Sequence, residues 1–340
     1  MNQVRASVLI PTYDHASTLP LTVESVLRQS VADLEALIVG DGVTPEARAA
    51  IEPLVESDPR IRFLDFPKGP HHGEIHRHQA VLEARSDAIF YLCDDDLLLP
   101  EHVADLLALL EEANFVQSRN GFFTPDGRVG MYPTDLGDPG CVAWALGEPR
   151  RNMTSITGTA HSRRYYLEVG DHWETTPEGE WPDHYQWKKY FRRADFRGAT
   201  SSRMTALQFP TSGDGRDAWT PEERQAELER WAALVAAPDG QERIDAMVDR
   251  STQIELAHTY RDLGFALDKQ AELRVEIADL EERLEAAETR LERVEAALQR
   301  RKRQVARLRG KVATMQRSHS WRVTAPLRAA RARVARDRSQ

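Results

Sequence analysis

The sequence has only two cysteines in 340 residues, Cys93 and Cys141. They make neither a disulfide framework nor a metal-ligand spacing, which suits a reducing compartment. No stretch approaches the roughly eighteen apolar residues of a membrane helix. The N-terminus enters a strand pattern with no basic region, apolar stretch and small-residue cleavage site of a signal peptide. Gly-x-Gly-x-x-Gly and Walker-type loops are missing too, which argues against a dinucleotide enzyme or a P-loop enzyme. These absences predict a cytoplasmic protein, with peripheral attachment to a membrane the one remaining link to a bilayer.

What is present is enough to bury a core, with 41% hydrophobic and 29% charged residues. The net charge of −9 hides an asymmetry. Residues 299–340 hold fourteen Lys or Arg and a single acid, Asp337. An acidic body therefore carries a basic tail, and a block of like charge looks for an opposite partner.

Along the first hundred residues, short apolar runs alternate with helical spacing. Strands are expected at Ala6 to Pro11, Leu34 to Val39, Ile61 to Phe66 and Ala88 to Cys93. Helices are expected at Thr18 to Gln29, Ala47 to Glu56 and about Glu74 to Ala84. Such alternation predicts an α/β fold, a mostly parallel sheet with helices on its faces. Function in these sheets gathers at the carboxyl ends of the strands, where Thr12, Asp41 and Asp94 to Asp96 fall. From Asn114 to Pro210 the pattern is irregular. Thr220-Pro221-Glu222-Glu223 then reads as a capped helix start with proline at the first helical position.

The last section differs in kind. Leu273, Ile277, Leu280, Leu284, Ala287, Leu291, Val294, Leu298, Val305, Leu308, Val312 and Met315 recur at alternating steps of four and three. Only Arg301 interrupts the series, and charge fills the other faces, so the pattern predicts a coiled coil. A single amphipathic helix packed on the body is the plainer alternative. The expected division is a catalytic domain over 1–235, a helical connector over 236–265, a coiled coil over 266–316 and a basic tail over 317–340.

Three adjacent acids, Asp94, Asp95 and Asp96, follow the fourth strand and precede Leu97-Leu98-Leu99-Pro100. They repel one another unless a cation or hydrogen bonds compensate. A hard divalent cation takes oxygen ligands and shares one or two carboxylates with phosphates. Taken alone, the run reads equally well as a solvated acidic turn. His72 and His76, four apart, could share a helix face as zinc ligands do, but no nearby acid or cysteine completes a tetrahedral set.

Ser7-Val8-Leu9-Ile10-Pro11-Thr12-Tyr13, Leu19 through Gln29, Glu35 through Gly42 and Asp94 through Glu101 together resemble family-two glycosyltransferases of the GT-A fold. The resemblance covers about 100 residues and weakens from residue 115. It implies a nucleotide-sugar donor, a glycan or lipid-linked acceptor and a divalent cation, Mn2+ or Mg2+. It also implies residue roles. Pro11, Thr12, Tyr13, Asp41, Arg77 and Asp94 would bind the nucleotide sugar, and Asp95 and Asp96 the metal. Asp183, beside Glu180 and His184 at the start of an aromatic helix, would be the catalytic base; an acid there also suits helix capping. Two positions depart from the family, which often has acids where Gly40 and Cys93 stand. The competing function is a non-catalytic scaffold on a degenerate nucleotide-sugar-binding domain.

Ser320-Trp321-Arg322-Val323-Thr324-Ala325-Pro326-Leu327-Arg328 resembles a segment that ends bacterial surface-polysaccharide glycosyltransferases, often after a coiled coil. Trp321 and Leu327 among arginines suit an anionic membrane surface, which would hold the protein at the inner face of the plasma membrane. Disorder is the plainer reading. No nucleic-acid reading motif is present, and the body is acidic. The coil predicts a homo-oligomer. Its first half is acid-rich (Glu272 to Glu295) and its second basic (Arg300 to Lys311), so charge favours an antiparallel or partner-directed pairing over a parallel one. With Cys93 and Cys141 replaced by serine, a single cysteine at Glu285 is expected to crosslink poorly to its own copy. Efficient self-crosslinking would sink the antiparallel arrangement.

Overall fold

The computed structural model describes residues 4–123, 128–132, 134–151, 154–170, 172–209 and 220–337. By contacts the chain forms two compact units, Met1–Leu256 and Ala257–Gln340. The first unit is α/β, as expected. Its elements open β1 (Ala6–Thr12), α1 (Leu19–Leu27), β2 (Leu34–Asp41), α2 (Pro45–Ser57), β3 (Ile61–Phe66), α3 (Glu74–Glu83) and β4 (Ala88–Tyr91). There follow β5 (Leu97–Leu98), α4 (His102–Leu109), β6 (Phe115–Gln117), β7 (Asn120–Phe123), β8 (Val129–Met131) and α5 (Pro139–Leu146). The unit continues with β9 (Thr159–Ser162), α6 (Arg163–Val169), α7 (Pro182–Phe191), β10 (Gly198–Thr200), β11 (Ala206–Gln208) and α8 (Pro221–Ala236).

The main sheet has the order β10-β6-β9-β4-β1-β2-β3. Only β9 runs antiparallel to its neighbours β4 and β6; the other pairs are parallel. Both faces are covered, which is why β1 and β2 read as unbroken apolar runs rather than alternating ones. Val8, Ile10 and Ile38 point to the face packed with Leu19, Val23 and Val26 of α1. Leu9, Leu37 and Val39 point to the other face, toward Tyr91, Trp187 and Tyr190. Successive side chains on a strand alternate faces, so one strand serves two cores.

A second sheet, β5-β11-β7-β8, uses strands of two to four residues, three of them from the region that reads as irregular and β5 from the segment after the aspartates. Its core joins Leu97, Leu99, Phe123 and Leu207 to Leu228, Trp231 and Leu234 of α8. The start of α8 is the capping box expected there: Thr220 accepts from the Glu223 N–H, and Glu223 accepts from the Thr220 N–H.

A 78-residue helix, α9 (Gly240–Arg317), includes the whole heptad stretch. The heptad positions from Leu273 to Met315 that are large and apolar all stand exposed, Leu284 at 60% and Leu308 at 53%. Two short helices close the chain, α10 (His319–Val323) and α11 (Ala325–Asp337). The residues of the tail motif hold this corner. Ser318 caps α10, and the Arg328 guanidinium stacks 3.7 Å from the Trp321 ring and donates to Thr324 Oγ1 at 2.6 Å. Among the described residues, no helix is long and apolar enough to cross a membrane.

His161 of β9 lies fully buried in the main sheet. Its Nδ1 donates to the Ser162 carbonyl at 3.0 Å, and its Nε2 accepts from the Tyr91 hydroxyl at 2.9 Å. Both ring nitrogens are thus satisfied in the neutral form, and burial lowers the imidazole pKa to about 4. The unfolded chain takes up this proton near the ordinary histidine value while the folded chain refuses it. Stability is therefore expected to fall as pH drops from about 6.5 toward 4. Replacing His161 with Gln should remove at most about 1.4 kcal/mol per pH unit from that slope. Urea unfolding followed by tryptophan fluorescence across this range checks it; an unchanged slope would show that His161 does not titrate as described.

Candidate active site

The site assembles where β1, β2 and β4 end side by side. Thr12 pairs with Gly40 at the end of β1 and β2, and Leu92 beyond β4 donates its N–H to Leu9 of β1 at 3.0 Å. Three loops leaving the same edge in parallel carry Tyr13 to His15, Asp41 and Asp94 to Asp96. Such convergence needs the parallel order, because an antiparallel neighbour would send its loop to the opposite edge.

Asp94, Asp95 and Asp96 are all buried, with 2% to 7% of their surface exposed. Helix α1 holds the run from one side. Thr18 donates to the Asp94 carbonyl at 3.0 Å and Thr22 to the Asp96 carbonyl at 2.9 Å. Asp96 is gripped through its side chain, accepting from Thr157 and, at 2.8 Å, from the Phe209 N–H. Asp94 Oδ1 instead meets His15 Nδ1 at 2.8 Å. The hydrogen bond to Asp94 raises the His15 pKa to about 9, with the charges of Asp94 and Asp95 adding to it and burial opposing it.

His15, Asp94 and Asp95 each place one ligand atom within 4.8 Å of the others, forming the metal-capable cluster found among the described residues. Two carboxylates and an imidazole suit a divalent cation of the Mg2+ to Mn2+ class. The cluster overlaps the expected ligand pair at Asp95 and places Asp96 against Thr157 and Phe209. Sequence reasoning missed His15 because nothing in the chain from 13 to 16 links it to a residue 79 positions later. His72 and His76 gain no cluster. His76 stacks on Phe66 with centroids 4.7 Å apart and approaches Asp41 at 3.4 Å.

Asp41 is largely buried and binds the loop after β3. It pairs with Lys68, and it accepts from the Gly69 N–H at 2.6 Å. The Lys68 ammonium also lies 4.9 Å from the centre of the Tyr13 ring, which is 43% exposed. Thr12 is buried beside them with no partner for its hydroxyl. Pro11, one residue earlier in β1, is half-buried.

Arg77 on α3 is buried, and its Nε and Nη1 have no hydrogen-bond partner. Its guanidinium lies 4.8 Å from the Trp173 ring. Desolvation lowers its pKa, while the Cys93, Glu74, Asp183 and Tyr91 groups act in the opposite direction. Glu74, one turn earlier, is fully buried, and neither carboxylate oxygen has a partner. A buried charge pair with unfilled hydrogen bonds is costly unless a ligand or water completes it. Glu74 is the second residue that sequence reasoning missed; only the burial of this face of α3, one turn before Arg77, singles it out.

Asp183 lies in the first turn of α7, half-buried, where it accepts from the His184 N–H at 2.8 Å. The cap position of that helix is Trp181, without a side-chain cap bond, so Asp183 is not the capping residue. Its negative charge is among those that oppose the desolvation of Arg77.

The two departures from the family pattern have local causes. At Gly40 a Cβ would lie 2.7 Å from the Phe63 ring, so the ring occupies the space of a side chain. At Cys93, desolvation and the charges of Asp96 and Asp95 push the thiol pKa well above its ordinary value, leaving a neutral group.

Residues 7–159 match the family described as Glycosyl transferase family 2. A chondroitin synthase of Pasteurella multocida (strain Pm70) is 35% identical over 126 residues, 36% of this chain and 13% of that protein. The GalNAc(5)-diNAcBac-PP-undecaprenol beta-1,3-glucosyltransferase of Campylobacter jejuni is 25% identical over 113 residues, 32% of this chain and 35% of that one. Both matches span well under two thirds of the relative's length. Among solved structures, S. aureus TarS 1-349 in complex with UDP-GlcNAc aligns with a TM-score of 0.49 and 14% identity, covering 73% of this chain and 71% of that one.

Gly73 leaves the site little room for a side chain. Its φ is +63°, and a Cβ there would lie 2.3 Å from Asp41 Cγ. Gly73→Ala should therefore cost about 1–3 kcal/mol of stability through strain and displacement of Asp41. Wild-type stability in chemical denaturation would refute this account of the Asp41 loop.

Proposed function

We propose that this chain is a metal-dependent, inverting glycosyltransferase of the hexosyl-transferring kind. It would move a sugar from a nucleotide diphosphate to a hydroxyl of a glycan or lipid-linked acceptor in bacterial surface polysaccharide synthesis. One observation carries the reading. Asp41 at the end of β2 and Asp94 to Asp96 beyond β4 converge on one sheet edge, where His15 meets Asp94 and joins it and Asp95 in a cluster able to hold a cation. The family match over 7–159 supports it.

The site must grip the nucleoside, neutralise a leaving diphosphate and remove the acceptor proton. Pro11, Thr12, Tyr13 and Asp41 would bind the nucleoside, with the exposed Tyr13 ring offering a stacking face. Asp95, with Asp94 and Asp96 beside it, would hold the divalent cation. That cation, when bound, offsets the negative charge that develops on the diphosphate.

In a direct displacement the acceptor oxygen bonds to the anomeric carbon as the bond to the diphosphate oxygen breaks. The acceptor proton passes to Asp183. A base must be fixed to work, and the hydrogen bond from the His184 N–H restrains this carboxylate.

The proposed division follows the sequence: catalytic domain 1–235, connector 236–265, coiled coil 266–316 and tail 317–340. The exposed apolar stripe of α9 suits a homo-oligomer, and the arginines around Trp321 and Leu327 suit the anionic inner face of the plasma membrane. The second reading is a scaffold with a degenerate nucleotide-sugar site.

A thermal-shift screen of UDP and GDP sugars with Mn2+ identifies the donor. Asp183→Asn should then reduce turnover by at least about a hundredfold with donor affinity nearly unchanged. Normal turnover in Asp183→Asn would remove the base assignment. Absence of cation-dependent hydrolysis or transfer from every donor that binds would favour the scaffold.

A further inference from the structure

We infer that His15 is a direct nitrogen ligand of the cation at the aspartate cluster, and that it biases this site toward Mn2+ over Mg2+. The inference rests on the metal-dependent reading above and specifies its first coordination shell. His15 belongs to the loop after β1, not to the aspartate run, so the fold had to bring it there.

The spacing fits. Ligands on adjacent vertices of an octahedron with bonds of about 2.1 Å lie about 3 Å apart, and opposite ones about 4.2 Å. His15 Nδ1 and Asp94 Oδ1 are 2.8 Å apart, and the three ligand atoms of His15, Asp94 and Asp95 fall within 4.8 Å. Small side-chain rotations would suffice to close them on one ion. The ring already has a suitable orientation, because Nδ1 faces Asp94 while Nε2 lies on the other side, 3.5 Å from Arg224 Nη1.

Asp96 is placed differently. Thr157 and the Phe209 N–H hold its two oxygens, so coordinating an ion through either would compete with these bonds. Donor chemistry then decides the metal. Mg2+ is hard, takes oxygen ligands and keeps its waters, whereas imidazole suits first-row transition cations. A site of two carboxylates and one imidazole gains more from Mn2+ than from Mg2+.

The test reads the coordination itself, with the full-length protein and Mn2+ alone as the probe. Electron spin echo modulation of bound Mn2+ should show coupling to a directly bonded nitrogen. The coupling should change when histidine carries the heavier nitrogen isotope, which requires no mutation, and vanish in His15→Gln. The same variant should weaken Mn2+ binding by at least about tenfold and Mg2+ binding much less. Bound Mn2+ without nitrogen coupling, or coupling that survives His15→Gln, overturns the role of His15 while leaving a cation site in place. Failure of the wild-type protein to bind Mn2+, alone or with UDP or GDP, overturns the metal-dependent reading itself.

Discussion

Three adjacent carboxylates at the end of one buried strand are the constraint around which this site is arranged. Asp94, Asp95 and Asp96 are almost wholly removed from water, and like charges at such spacing are unstable unless donors or cations surround them. The surrounding structure supplies these to the side chains from elements distant in sequence: His15 before α1, Thr157 ahead of β9 and the Phe209 N–H beyond β11, while Thr18 and Thr22 hold the backbone carbonyls of Asp94 and Asp96. Each aspartate thereby acquires a different environment. Asp96 is anchored by its side chain, Asp94 faces an imidazole, and Asp95 completes the cluster with both. Identical residues in a row have been given separate roles by their neighbours.

The same economy of space appears around Asp41. Gly73 lets α3 begin against the Asp41 carboxylate, and this brings Glu74 and Arg77 into the interior on the helix's first turn. Arg77 then lies on the Trp173 ring. Its burial lowers its pKa, and the acidic groups around it work against that tendency. The aromatic core beneath, with Tyr91, Trp173 and Trp187 in edge-on contact, fixes α7 and hence Asp183 relative to β4.

Much of this was legible before any fold was known. Strands β1 to β4 and helices α1 to α3 follow from apolar runs and helical spacing, because a parallel strand covered on both faces must be apolar throughout. The start of α8 follows from Thr220, Pro221 and Glu223, since capping depends only on residues three apart. The second sheet was not legible. Its strands are two to four residues long, too short to show a period, and β5 and β11 pair across more than a hundred residues. Gly40 and Cys93, which depart from the family pattern, acquire physical reasons only beside the Phe63 ring and the buried aspartates.

Residue order by itself determined the kind of protein: the alternation of strands and helices, the acids at strand ends, the long heptad helix and its basic continuation. These are local properties, set by periodicity and by the chemistry of neighbouring residues. Tertiary structure decided what the acids do. It placed His15 against Asp94, turned Asp96 toward Thr157 and Phe209, and set Arg77 against Trp173. These partners are separated by tens to over a hundred positions, and no short-range pattern records which of them will meet. The triple aspartate marks where charge must be compensated; only the folded chain specifies the groups that compensate it.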